Sequence, residues 1–96
     1  MGATTFHTIA RGPTAKRAFE SARNQAQYDY GHSGYTGTIA EKDSFTMIPV
    51  PPGKDVSDFI NELFSNCDPR IDDKWGPAGC IYLGDEEFVF FGWASC

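Results

Sequence analysis

The residues best equipped for chemistry lie in one stretch, Tyr28-Asp29-Tyr30-Gly31-His32-Ser33-Gly34-Tyr35-Thr36-Gly37-Thr38-Ile39-Ala40-Glu41-Lys42. Gly31, Gly34 and Gly37 recur at a spacing of three. Glycines let the backbone take positive φ and come close to a ligand, and successive N–H groups in that geometry form an anion-binding nest. The hydroxyls of Ser33, Thr36 and Thr38 and the ammonium of Lys42 add donors, and the ring of Tyr35 offers a stacking surface. Gly31, His32, Gly34, Tyr35, Thr36, Gly37, Thr38 and Lys42 are therefore the candidate contacts for a small phosphate-bearing ligand, such as a nucleotide or a nucleotide-derived signal. The pattern is neither GxxxxGK[ST] nor GxGxxG, and it follows a helix instead of opening one. The same glycines serve equally as a helix stop and a tight connection into the next element.

His32 and Asp29 are the residue types of a general base and its orienting carboxylate. Their spacing brings them together only if the helix continues through His32, which Gly31 opposes. No serine or cysteine nucleophile is placed beside them by sequence, so no catalytic set is assigned; a His32-dependent hydrolase stands as the third reading, and the expectation leans away from an enzyme. His7, His32, Asp29 and the cysteines include zinc-ligand types, but none has the i, i+4 or CxxC spacing of a zinc site. The loop with Asp68, Asp72 and Asp73 lacks the alternation and central glycine of an EF-hand. No metal or cofactor is expected.

A second surface is legible in the distal half. Residues 1–53 carry net charge +1 and residues 54–96 carry net −6. That excess disfavours nucleic acid, whose binding depends on Lys and Arg displacing counterions, and favours a basic partner. Asp72, Asp73, Trp75 and Trp93 are the candidate contacts for a host protein that the chain would inhibit. The run Phe88-Val89-Phe90-Phe91 is apolar on both faces, whereas a strand buried on one face alternates. It is either a central strand or a strand whose second face is covered by another subunit, a homo-oligomer.

These residues need elements to hold them. Thr, Phe and Ile over 4–10 favour a strand, which Gly12-Pro13 ends. Over 13–30, Ala15, Ala18, Phe19, Ala22, Ala26 and Tyr30 recur at helical spacing. Residues 38–41 and 44–49 are expected as a hairpin around Lys42-Asp43, and Val50-Pro51-Pro52-Gly53 stops either element. Asp55 is an N-cap for a helix in which Val56, Phe59, Ile60, Leu63 and Phe64 make one apolar stripe. Strands follow over 79–83 and 87–93. The β-α-ββ-α-ββ order predicts an α+β two-layer sandwich, ferredoxin-like (split βαβ) with an added C-terminal strand, on a mostly antiparallel sheet.

Length and composition bound the rest. The 96 residues and 14 aromatics (eight Phe, four Tyr, two Trp) predict a single α+β domain over 1–96. No apolar run reaches the ~18 residues of a membrane helix, and the N-terminus lacks a secretory pattern. The three cysteines are too few and too irregularly spaced for a disulfide framework, so reduced thiols in a cytosol are expected.

The segment YDYGHSGYTGTIAEK resembles one found in small uncharacterised proteins of bacteriophages and bacterial mobile elements, as do Lys74-Trp75-Gly76-Pro77-Ala78-Gly79 and Phe90-Phe91-Gly92-Trp93-Ala94-Ser95. The resemblance runs from about Arg17 onward. It implies a phage-borne accessory or anti-defence protein in the cytoplasm of an infected or host bacterial cell, and it carries over no catalytic residues.

Overall fold

The computed structural model describes residues 3–30, 37–73 and 75–95, apart from the side chains of Tyr30 and Ser95. It is a small α+β fold of two helices and a four-stranded, mostly antiparallel sheet. In chain order the elements are β1 (Ala3–Arg11), α1 (Ala15–Tyr30), a 3₁₀ turn (Ile39–Glu41), β2 (Phe45–Met47), α2 (Val56–Ser65), β3 (Ala78–Gly84) and β4 (Glu87–Ser95). The strands lie in the order β1-β4-β3-β2. β4 is antiparallel to both neighbours, and β2 is parallel to β3.

β1, β2 and β3 therefore run in one direction and β4 alone runs against them. The chain crosses from β1 to β2 through α1 and returns one place to β3 through α2. Parallel crossovers are right-handed, so two crossovers in opposite senses put their helices on opposite faces. The packing agrees. On one face Ala18, Phe19, Ala22 and Ala26 of α1 meet Phe6, Cys80, Phe88 and Phe90. On the other, Phe59, Ile60 and Leu63 of α2 meet Ile81, Val89 and Phe91.

This corrects the expected two-layer, ferredoxin-like sandwich in three respects. There are three layers, the described strands number four, and residues 38–49 form no hairpin. Thr38 is the reason for the last. Its hydroxyl accepts from the Ala40 N–H at 3.2 Å and caps a 3₁₀ turn where a strand was expected. Only Phe45–Met47 remains extended, and it pairs with β3. The both-sided apolar run of β4 is explained by a central strand with a helix on each face.

Local chemistry sets the ends of the elements. Asp55 caps α2 as expected, its carboxylate accepting from the Asp58 N–H at 3.2 Å. Beyond α2, Cys67 takes φ 51° while the Asp68 N–H reaches Leu63 O at 3.1 Å, which is a Schellman ending. Gly79 lies directly under Phe91, where an added Cβ would stand 2.7 Å from Cζ, so only glycine allows that contact.

The β3–β4 connection places Asp85 at φ 52° and Glu86 at φ 62°, the pattern of a type I′ hairpin. A left-handed backbone is costly for Glu and free for glycine. Glu86→Gly should stabilise the protein by about 1 kcal/mol, read as a higher urea midpoint. An unchanged or lower midpoint would show that the turn carries no strain.

Candidate functional site

β1 forms one edge of the sheet, and nothing among the described residues pairs with its outer side. A groove of about 450 Å³ runs beside it, lined by Thr5, Phe6, His7 and Thr8 of β1, Ala22, Gln25, Ala26 and Asp29 of α1, and Thr38 and Ile39. Four consecutive strand residues border it, so its floor includes the backbone edge of β1 as well as one face. Phe6, Ala22, Ala26 and Ile39 are buried and make an apolar base. Thr8, Gln25, Asp29 and Thr38 surround that base with hydroxyl, amide and carboxylate groups, and Thr5 and His7, which alternate with Phe6, border it along the strand backbone. A few convergent polar groups over an apolar base is the usual make-up of a small-molecule site.

α1 supplies the groove wall through its small residues. Alanines at 18, 22 and 26 let the helix approach the sheet, and Gln25 and Asp29, one turn apart, share the flank turned to β1. The Gln25 side-chain amide donates to both Asp29 carboxylate oxygens at 3.2 Å, which orients the pair across the groove mouth.

The residues expected from sequence are only partly gathered here. Thr38 lines the groove, and Asp29 lines it beside Gln25. Gly31, His32, Gly34, Tyr35 and Thr36 lie outside the described residues, so the pairing of His32 with Asp29 does too. Gly37 is described and takes φ 70°.

Lys42 has a different place from the one expected. It is fully buried, and its ammonium donates to the backbone carbonyls of Gly76 at 3.0 Å and Asp73 at 3.2 Å. Burial lowers its pKa from the ordinary 10.5, and the nearby Asp73 carboxylate opposes that shift. Lys42 thus ties the turn before β2 to the loop before β3. A phosphate would have to compete with both carbonyls for it.

The four acidic and aromatic partner candidates divide. Asp73 builds a turn, its carboxylate accepting from the Trp75 N–H at 2.9 Å and its carbonyl from the Gly76 N–H at 3.0 Å. That turn presents Trp75 with 63% of its surface exposed, and Asp72 is exposed beside it. Trp93 is half-buried and packs edge-on against Phe64, ring centroids 5.9 Å apart. It belongs to the α2 layer.

Sequence reasoning missed His7 and Gln25 as groove residues. His7 also borders a smaller hollow of about 210 Å³ with Ser57, Ile60 and Asn61, on the α2 side. The alternation of β1 around Phe6 puts the His7 side chain on the α2 face, and only the strand order shows that β1 is an edge whose backbone borders the groove. Among the described residues no group of three His, Cys, Asp or Glu side chains could hold a metal ion. Cys80 is buried, which pushes its thiol up to about 12, while Cys67 is exposed. No described helix is long and apolar enough to cross a membrane. No family model, curated protein or solved structure matches the chain.

Proposed function

We propose that the chain is a non-enzymatic binding protein that takes a small, phosphate-bearing polar ligand in the groove beside β1, in the service of a phage or mobile element. The observation that carries this reading is the groove itself, with Gln25, Asp29, Thr8 and Thr38 around an apolar base. The apolar base suits the face of a ring and Asp29 suits a ligand hydroxyl. The phosphate rests on the glycine pattern of 31–37, because Lys42 is engaged elsewhere.

The test is thermal denaturation against nucleotides, nucleosides and sugar phosphates. A ligand at about a hundredfold over its Kd stabilises by about 2.7 kcal/mol, which for this chain length raises Tm by ~10 °C or more. Gln25→Leu should abolish that shift while leaving the unliganded Tm within a few degrees of wild type. No shift across the panel, or an equal shift in Gln25→Leu, would remove the groove as the site.

Trp75 favours a second reading, inhibition of a host protein by contact. An exposed indole on a turn fixed by Asp73 is a suitable anchor for an interface. Trp75→Ala would then abolish capture of the target without affecting the groove.

A further inference from the structure

We propose that β1 is the interface of a twofold dimer, pairing antiparallel with β1 of a second copy to make one continuous eight-stranded sheet. The argument begins with where the β1 backbone points. The Gly12 N–H donates to Glu86 O at 3.0 Å, so Gly12 directs its backbone groups at β4. Direction alternates residue by residue in an antiparallel ladder. Thr4, Phe6, Thr8 and Ala10 therefore also face β4, while Ala3, Thr5, His7, Ile9 and Arg11 turn their N–H and C=O groups outward. The hairpin agrees: Glu87 closes the β3–β4 turn and directs its groups at β3, which leaves its β1 partner Arg11 facing out.

An open strand edge invites pairing, and proteins usually protect it with short length, proline, charge or a bulge. The far edge has such protection. β2 is three residues long and leads into Pro49, Pro51 and Pro52. β1 has none of it over its central residues. It pairs with β4 in nine consecutive positions without a bulge, contains no proline, lysine or acidic residue, and leaves Ile9 60% exposed.

A second copy fits this edge in its longest register. Superposing 3–11 on 11–3 sets His7 opposite His7 of the second copy, Thr5 opposite Ile9 and Ala3 opposite Arg11. The outward residues then face one another as hydrogen-bonded pairs, giving about ten ladder bonds. No two Lys or Arg and no two acidic side chains stand opposite, and Thr5 with Ile9 is a favourable β-branched pair. The same twofold runs α1 antiparallel to its copy, directing the basic Arg17 end of each helix toward the Asp29 end of the other. This complementarity favours a second copy over an unrelated strand. The two grooves beside β1 would then face one another under the paired helices, but the inference stands on the strand edge and does not need the ligand reading.

Sedimentation equilibrium and native mass spectrometry test it on the whole chain. Wild type should be a dimer at about 100 µM, a range in which specific interfaces associate. Ile9→Pro removes an outward N–H that β4 does not use, and should weaken the dimer about tenfold to a hundredfold through two lost ladder bonds. Circular dichroism checks that the variant folds, and Ile9→Lys, which places a charge on the edge, serves if it does not. A monomeric wild type, or a dimer that survives both substitutions, overturns the proposal. So does a monomer that captures an added β1 peptide less well than an unrelated strand. A dimer with no bound small molecule would sink the ligand reading and leave this one standing, and a liganded monomer would do the reverse.

Discussion

Phe90→Ala and Phe91→Ala should each destabilise the protein by about 3–5 kcal/mol, the usual cost of removing a buried phenylalanine. Both side chains are fully buried, but in different cores. Phe90 packs against Phe19 of α1 and Phe45, with ring centroids 5.4 and 5.7 Å away. Phe91 meets Phe64 at 6.1 Å on the α2 side and lies over Gly79. Neighbouring residues on one strand would not both be costly if only one face were covered. Urea denaturation of the two variants decides the matter. A loss below about 1 kcal/mol at either position would mean that one helix layer is misplaced.

Lys42→Met should cost about 1–3 kcal/mol, because the variant leaves the half-buried Gly76 carbonyl without its donor, while the Asp73 carbonyl keeps the Gly76 N–H. The pH dependence separates this structural role from a ligand contact. Burial holds the folded pKa of Lys42 below the ordinary 10.5, so in the window just under 10.5 the unfolded chain binds more protons. Stability owed to this group must therefore rise with pH through that window. The Cys80 thiol, raised from 9.0 to about 12, pulls the opposite way above pH 9. Subtracting the Lys42→Met profile from the wild-type profile cancels the cysteine and leaves the lysine. A flat difference would show that the ammonium is not buried, and a variant as stable as wild type would show that it is not held by the two carbonyls.

Much of the secondary structure could be read from local patterns. The alanine spacing located α1 to within two residues of its start, and Asp55 with the Phe59-Ile60-Leu63 stripe located α2. Long-range pairing was not legible. Nothing local distinguishes a 38–49 hairpin from a capped turn followed by a short parallel strand, because the choice depends on Thr38 reaching its own backbone and on β3 arriving from thirty residues away. The two faces of the sheet were written into Phe88-Val89-Phe90-Phe91, but the partner of each face follows only from the crossover directions. Lys42 shows the same limit at the candidate site. Next to a glycine-rich segment it has the type of an anion contact, and only the fold shows it turned inward onto carbonyls supplied by residues 73 and 76. The groove residues His7 and Gln25 carry no motif, since they are far apart in sequence and join through the packing of α1 on β1.

Native mass spectrometry of freshly purified protein, followed by denaturation to release anything bound, tests the groove most directly. The account predicts a stoichiometric small-molecule mass, with phosphate in its composition, that is absent from Gln25→Leu prepared in the same way. A bare wild-type chain together with no thermal shift across the ligand panel, or a bound mass retained by Gln25→Leu, would contradict it.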